Sequence, residues 1–121
     1  DLDGDGRPDV VLTSLDAPPA LLQNESTRKP VILELVGRSP KARVPFGARV
    51  RVTAGGGTLV RDLPGGGGYL SASEPRIYLG LGDVRRIERL EVAWPSGLTE
   101  VWRDLETSGI ARVIEGEGTR K

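Results

Sequence analysis

The residues with the most chemical content stand at the start of the chain. Asp1, Asp3, Asp5 and Asp9 form the pattern D-x-D-G-D-G-x-x-D, with Gly4 and Gly6 between the carboxylates. Carboxylates at alternate positions, on a backbone that glycine lets curl, present hard oxygen ligands to a single ion, and that chemistry suits calcium. Arg7 stands where such a loop contributes a backbone carbonyl, its cationic side chain expected to point away. Without a cation the four carboxylates would repel one another. The competing reading is an Asx-rich surface turn with no metal, since Asp and Gly are common turn formers. An EF-hand loop would require an acidic residue where Leu12 stands, so Asp9 followed by Val10-Val11-Leu12 implies a loop that runs into a strand.

Little else in the sequence can do chemistry. Cys and His are both absent, which removes disulfides, thiolate nucleophiles, imidazole bases and the usual zinc ligands. No nucleophile elbow of the form G-x-S-x-G occurs, so the chain is read as non-catalytic. The 17 basic residues cancel the 17 acidic ones, leaving no overall field to draw nucleic acid or an anionic membrane. No apolar run approaches the length of a membrane-spanning helix. The chain starts at Asp1 without Met or a signal peptide, and the expectation is a mature or excised piece.

The elements that must position the loop are strands. Clusters of Gly and Pro cut the chain into short segments rich in Val, Ile, Leu and Thr. In Ala48 to Ala54, apolar residues alternate with Arg49, Arg51 and Thr53, giving one apolar and one polar face. Gly55, Gly56 and Gly57 supply the turn, and Thr58 to Leu63 returns as hairpin partner. Further strands are expected at Val31 to Val36, Arg76 to Leu81, Ile87 to Trp94, Thr99 to Leu105 and Ile110 to Glu115. Trp94-Pro95-Ser96-Gly97 has the composition of a hairpin turn. The fold class is therefore all-β, an antiparallel β-sandwich with an N-terminal calcium loop and strand appendage. Residues 1–29 form the appendage and linker, and residues 30–121 form the sandwich.

The Asp loop followed by Val10-Val11-Leu12-Thr13 resembles calcium-binding repeats of the FG-GAP or VCBS type, which build propeller blades in extracellular proteins. That resemblance implies Asp1, Asp3, Asp5 and Asp9 as ligands. The rest of the chain resembles the ASPIC/UnbV domain found after such repeats. The matching segments are Phe46-Gly47-Ala48-Arg49-Val50, Gly68-Tyr69-Leu70-Ser71-Ala72-Ser73, Leu79-Gly80-Leu81-Gly82 and Trp94-Pro95-Ser96-Gly97. A propeller needs several blades, whereas this sequence holds one loop and two short apolar runs. Val44-Pro45 also replaces the Asn-Arg that often precedes the Gly-Ala motif.

Three surface features are candidates for recognition. Arg49, Arg51 and Arg61 are expected on one exposed hairpin face, where they meet solvent or an anionic glycan or carboxylate. Tyr69 to Ser73 forms a structural corner or a recognition loop. Trp94 and Trp102 serve the core, or else a sugar-stacking platform. The functional expectation is a calcium-binding extracellular recognition or adhesion module, with a protein or glycan partner at the cell surface. The rival is a self-assembling subunit that adds its N-terminal strands to other copies of itself, forming a filament. A third possibility is the tail of a longer propeller protein.

Overall fold

The computed structural model describes residues 1–28, 30–106 and 109–121. Lys29, at the expected boundary between appendage and sandwich, lies outside the described residues. Among those described, the strands are β1 (Val10–Leu12), β2 (Ala20–Leu22), β3 (Val31–Val36), β4 (Arg49–Ala54), β5 (Gly57–Asp62), β6 (Ile77–Leu79), β7 (Arg86–Ala93), β8 (Thr99–Glu106), β9 (Ile110–Ile114) and β10 (Thr119–Arg120), with a short 3-10 turn at Pro40–Ala42. The chain is all-β, as expected. No helix among the described residues is long and apolar enough to cross a membrane.

Two sheets face each other across one core. The larger has the order β10-β8-β7-β4-β5 and the smaller β6-β3-β9, while β1 and β2 make a separate two-stranded ribbon. Val50 and Val52 of β4, Leu90 and Val92 of β7, Leu33 and Leu35 of β3, Ile77 and Leu79 of β6 and Val113 of β9 share a single apolar cluster. Burying each such side chain is worth about 1.5–3 kcal/mol, so this cluster is what holds the two sheets together.

The alternation in β4 does what it predicts: Val50 and Val52 are buried and Arg49 and Arg51 exposed. Gly55 and Gly56 connect β4 to β5 with φ of 58° and 76°, both left-handed, as a two-residue hairpin with the sheet's own twist requires. Hydrogen bonds Leu63 N to Ala48 O and Gly47 N to Leu63 O, each 2.8 Å, carry the pairing to the predicted ends of the hairpin. Between β7 and β8, Trp94 O accepts from Gly97 N at 2.9 Å and Trp94 N donates to Leu98 O at 2.8 Å. Pro95 and Ser96 form the turn, and Gly97 at φ 90° closes it.

Two expectations about strand placement need correction. Every ladder is antiparallel except β3 with β9, which run parallel with Leu33 opposite Ala111 and Leu35 opposite Val113. Parallel partners need a long crossover, and here the chain from β4 to β8 lies between them. The near-continuous apolar run of β3 suits its central place in the smaller sheet. Arg61 does not join Arg49 and Arg51 on one face. Its ladder partner is Val50, whereas Arg49 faces Asp62. Directly paired residues share a face, so Arg61 lies on the opposite side from Arg49 and Arg51.

Candidate metal centre

The N-terminal loop is shaped first by its glycines. Gly4 and Gly6 take φ of 75° and 88°. A Cβ at either would meet nothing within 4 Å, so the left-handed backbone, not crowding, selects glycine there. The curl that results turns successive carboxylates inward. Asp3 Oδ1 accepts from Asp5 N at 3.1 Å, Asp5 Oδ1 from Arg7 N at 2.8 Å, and both oxygens of Asp1 lie 3.2 Å from Gly6 N. Gln23, just beyond β2, donates from Nε2 to Asp3 Oδ2 at 2.5 Å.

Asp1, Asp3 and Asp5 each place a carboxylate oxygen within 4.8 Å of the others. Calcium–oxygen distances of about 2.3–2.6 Å put ligands on opposite sides of one ion roughly 5 Å apart, so these three oxygens fit a common ion. Asp9 occupies a different place. Its Oδ2 accepts from Leu2 N at 2.7 Å and its Oδ1 from Asn24 N at 2.8 Å. These two amides, Asn24 first, hold its carboxyl below the usual carboxylate range. With 3% of its side chain exposed, Asp9 is a clasp that ties the start of β1 to the end of β2. Asn24 Nδ2 reinforces it by donating to Pro8 O at 3.1 Å.

Arg7 differs from its expected orientation. Its guanidinium does not point away but forms an ion pair with Asp5, while Nε donates to Asn24 O at 2.8 Å. Asp5 thus already has a cation beside it, and an incoming metal ion would share or displace that contact.

The ribbon that the loop feeds has almost no core. Every residue of β1 and β2 is exposed, Val10, Val11 and Leu12 by half or more and Leu21 by 68%. A tie to the sandwich runs from Arg28 to Asp83 at 2.8 Å.

The other candidates resolve differently. Trp94 is buried and meets Trp102 edge to face, ring centroids 6.3 Å apart, so the pair serves the core and offers no flat sugar platform. Gly68 and Ser71 form an isolated bridge that throws Tyr69 and Leu70 into solvent, 92% and 90% exposed. Ser26-Thr27-Arg28-Lys29 has the S-x-x-K spacing of one class of acyl-enzyme. Ser26 Oγ there only donates to Arg28 O at 3.3 Å, Lys29 lies outside the described residues, and the accompanying S-D-N and K-T-G motifs are absent.

The most buried polar group was missed. Glu100 has no exposed surface; its Oε2 accepts from Trp94 Nε1 and from Gly116 N, both at 2.9 Å, and its Oε1 meets no partner among the described residues. Period-two alternation through Leu98, Glu100 and Trp102 was the available signal, since it puts Glu100 on the apolar face.

The segments that organise this end of the sandwich, the Phe46–Val50 approach to β4 and the Trp94–Gly97 turn, fall inside a longer match. The sequence profile described as ASPIC and UnbV covers residues 38–120, from just after β3 to the end of β10. A comparison with curated proteins gave no match. On the extent of the profile match, the chain belongs to the ASPIC and UnbV family.

Proposed function

We propose that this chain is a non-catalytic, calcium-binding module of the extracellular space or cell surface that serves recognition or adhesion, its first 29 residues a partial FG-GAP/VCBS-type repeat. The observation that carries the reading is the convergence of Asp1, Asp3 and Asp5 oxygens within 4.8 Å on a loop held open by left-handed Gly4 and Gly6. In this proposal Asp1, Asp3 and Asp5 hold the ion, the Arg7 carbonyl completes the shell, and Asp9 orients the strand that follows. Calcium acts structurally: it offsets carboxylate repulsion and fixes the entry into β1. Extracellular calcium is millimolar, the range that modules of this kind require.

The test is thermal unfolding in EDTA and in about 1 mM calcium, for the wild type and for an Asp3→Ala, Asp5→Ala variant. A ligand bound only by the native state raises the midpoint by mass action. The expected result is a rise for the wild type alone. Equal midpoints in both conditions for both proteins would refute the site.

A second reading rests on the ribbon. Val10, Val11, Leu12, Leu21 and Leu22 are half exposed or more, and an isolated two-stranded ribbon is marginal in water. Another copy could pair with its open edges and build a filament. Scattering mass that grows with concentration, and is lost when residues 1–29 are removed, supports that reading; a constant monomer mass sinks it.

A further inference from the structure

The outer face of the larger sheet gathers cations that its own carboxylates do not balance. Arg89 of β7 is paired directly with Arg103 of β8, and the next outward positions pair Arg51 of β4 with Glu91 of β7. Like charges directly opposite each other on a sheet destabilise it. Glu91 is the carboxylate available to relieve them, and it is already shared: Arg89 Nη2 donates to its Oε2 at 2.8 Å, and Lys121 Nζ lies 3.0 Å from both its oxygens. Arg49 is satisfied by Asp62 at 2.6 and 3.1 Å. Arg51 and Arg103 are exposed and have no ion pair among the described residues. Beside them, Arg89, Arg103, Arg120 and Lys121 line an open groove of about 420 Å³, with Glu117 the one carboxylate side chain and Trp102 the one aromatic ring on its wall.

We infer that this face binds a linear polyanionic polysaccharide bearing sulfate or carboxylate groups. The guanidinium groups run diagonally across three adjacent strands, from the unpaired Arg103 through Arg89, which shares Glu91 with Lys121, to the unpaired Arg51. A ligand with anionic groups repeated along an extended chain matches that line. Guanidinium forks bind sulfate and carboxylate through paired N–H donors. Two other polyanions are set apart by experiment. A peptide strand gains its affinity from a free sheet edge, which this sheet offers beside β8 and β10 but not at Arg89, since β7 is paired on both sides by β8 and β4. Trp102 also lines the groove, so single-stranded nucleic acid, which stacks on aromatic rings, is separated from a polysaccharide by the titration below. This inference supplies a ligand class for the recognition reading above, but uses none of the calcium-loop residues.

The test is titration of a size-defined heparin oligosaccharide into the full chain in EDTA at 150 mM salt, so a failed calcium site leaves the outcome readable. Uncharged dextran is the negative ligand. An R51A/R103A variant, which breaks no ion pair, is expected to bind about tenfold more weakly, the loss of two exposed charge contacts. An R43A/R112A variant removes the same charge from exposed positions elsewhere and is expected to bind like the wild type. Equal weakening by both variants, no binding by the wild type, or equally tight binding of polyglutamate or a DNA oligonucleotide overturns the assignment.

Discussion

Replacing Glu100 tests how the family-matched region is held together. Its carboxylate is wholly buried and takes the indole N–H of Trp94 and the backbone N–H of Gly116 on one oxygen, Oε2. Glu100→Ala leaves the buried Trp94 indole N–H without an acceptor at about 1–3 kcal/mol, gives up the part-buried bond to Gly116 N at about 1 kcal/mol, and opens a small cavity beside the Trp94 ring. The expected loss is therefore about 2–5 kcal/mol, a large part of the roughly 5–15 kcal/mol that keeps a domain folded. At this chain length each kilocalorie lowers the melting temperature by about 4 °C, so Glu100→Ala should melt about 8–20 °C below the wild type. Glu100→Gln keeps a side-chain oxygen with two lone pairs able to serve both donors, and should lose less than half as much. Glu106→Ala, at an exposed position of the same strand, should stay within about 2 °C. Trp fluorescence and circular dichroism follow the transition. If Glu100→Ala melts with the wild type, or Glu100→Gln falls as far as Glu100→Ala, the two hydrogen bonds are not what Glu100 contributes.

Three further outcomes follow from the same geometry. Asp9 has its folded-state carboxyl pKa lowered by the Asn24 and Leu2 amides, so its clasp is in force above the unfolded carboxylate range near pH 4. The clasp is lost as pH falls through the lower folded value; the protection of the Asn24 amide, relative to its intrinsic exchange rate at each pH, should drop there before the sandwich unfolds. Arg7→Gln removes the guanidinium from Asp5 while keeping the backbone carbonyl, and should tighten calcium binding by about three- to tenfold in calorimetric titration; unchanged or weaker binding counts against the competition. Gly118→Ala would drive a Cβ to 2.8 Å from the Trp102 ring and 2.9 Å from Glu100 Cβ, and should destabilise by about 1–3 kcal/mol. Gly80→Ala, where a Cβ meets nothing within 4 Å, is the neutral control in the same melting series.

The strands of the sandwich were legible because their signals are local. Arg-Val alternation in β4, the paired glycines after it and the Trp94–Gly97 turn each act within a few residues. What escaped depends on partners far apart in sequence. The parallel run of β3 with β9 is decided by which sheet the chain re-enters after β8. The side taken by Arg61 follows from register against Val50, which composition does not carry. The brief β10 forms because the Gly116 turn folds the last residues onto β8, with Thr119 opposite Val101. In the Asp loop, spacing brought Asp1, Asp3 and Asp5 together, but the separate engagement of Asp9 depends on Asn24, fifteen residues on.

The two parts of the chain therefore stand in different energetic positions. The sandwich orders its residues by burying a contiguous apolar cluster. Ordering a residue costs about 1–2 kcal/mol of backbone entropy, and residues 1–24 bury almost no apolar side chain against it. A few clasps, Asp9 with Leu2 and Asn24 and Arg7 with Asp5 and Asn24, work against that cost at an exposed site. Hydrogen bonds to a carboxylate such as Asp9 contribute about 1.5–3 kcal/mol each and the Arg7–Asp5 pair about 0–1 kcal/mol, well short of the ordering cost of the whole segment. Anything that binds the ordered ribbon and not the disordered one offsets that deficit by mass action. A cation among the carboxylates and an added strand on the ribbon edge both meet that requirement, and they act at different atoms. Calcium should protect the amides of residues 2–7 from exchange first, whereas strand addition should protect those of Val10 to Leu12 and Ala20 to Leu22. Exchange mapped residue by residue, with and without calcium and across protein concentration, therefore separates the two contributions.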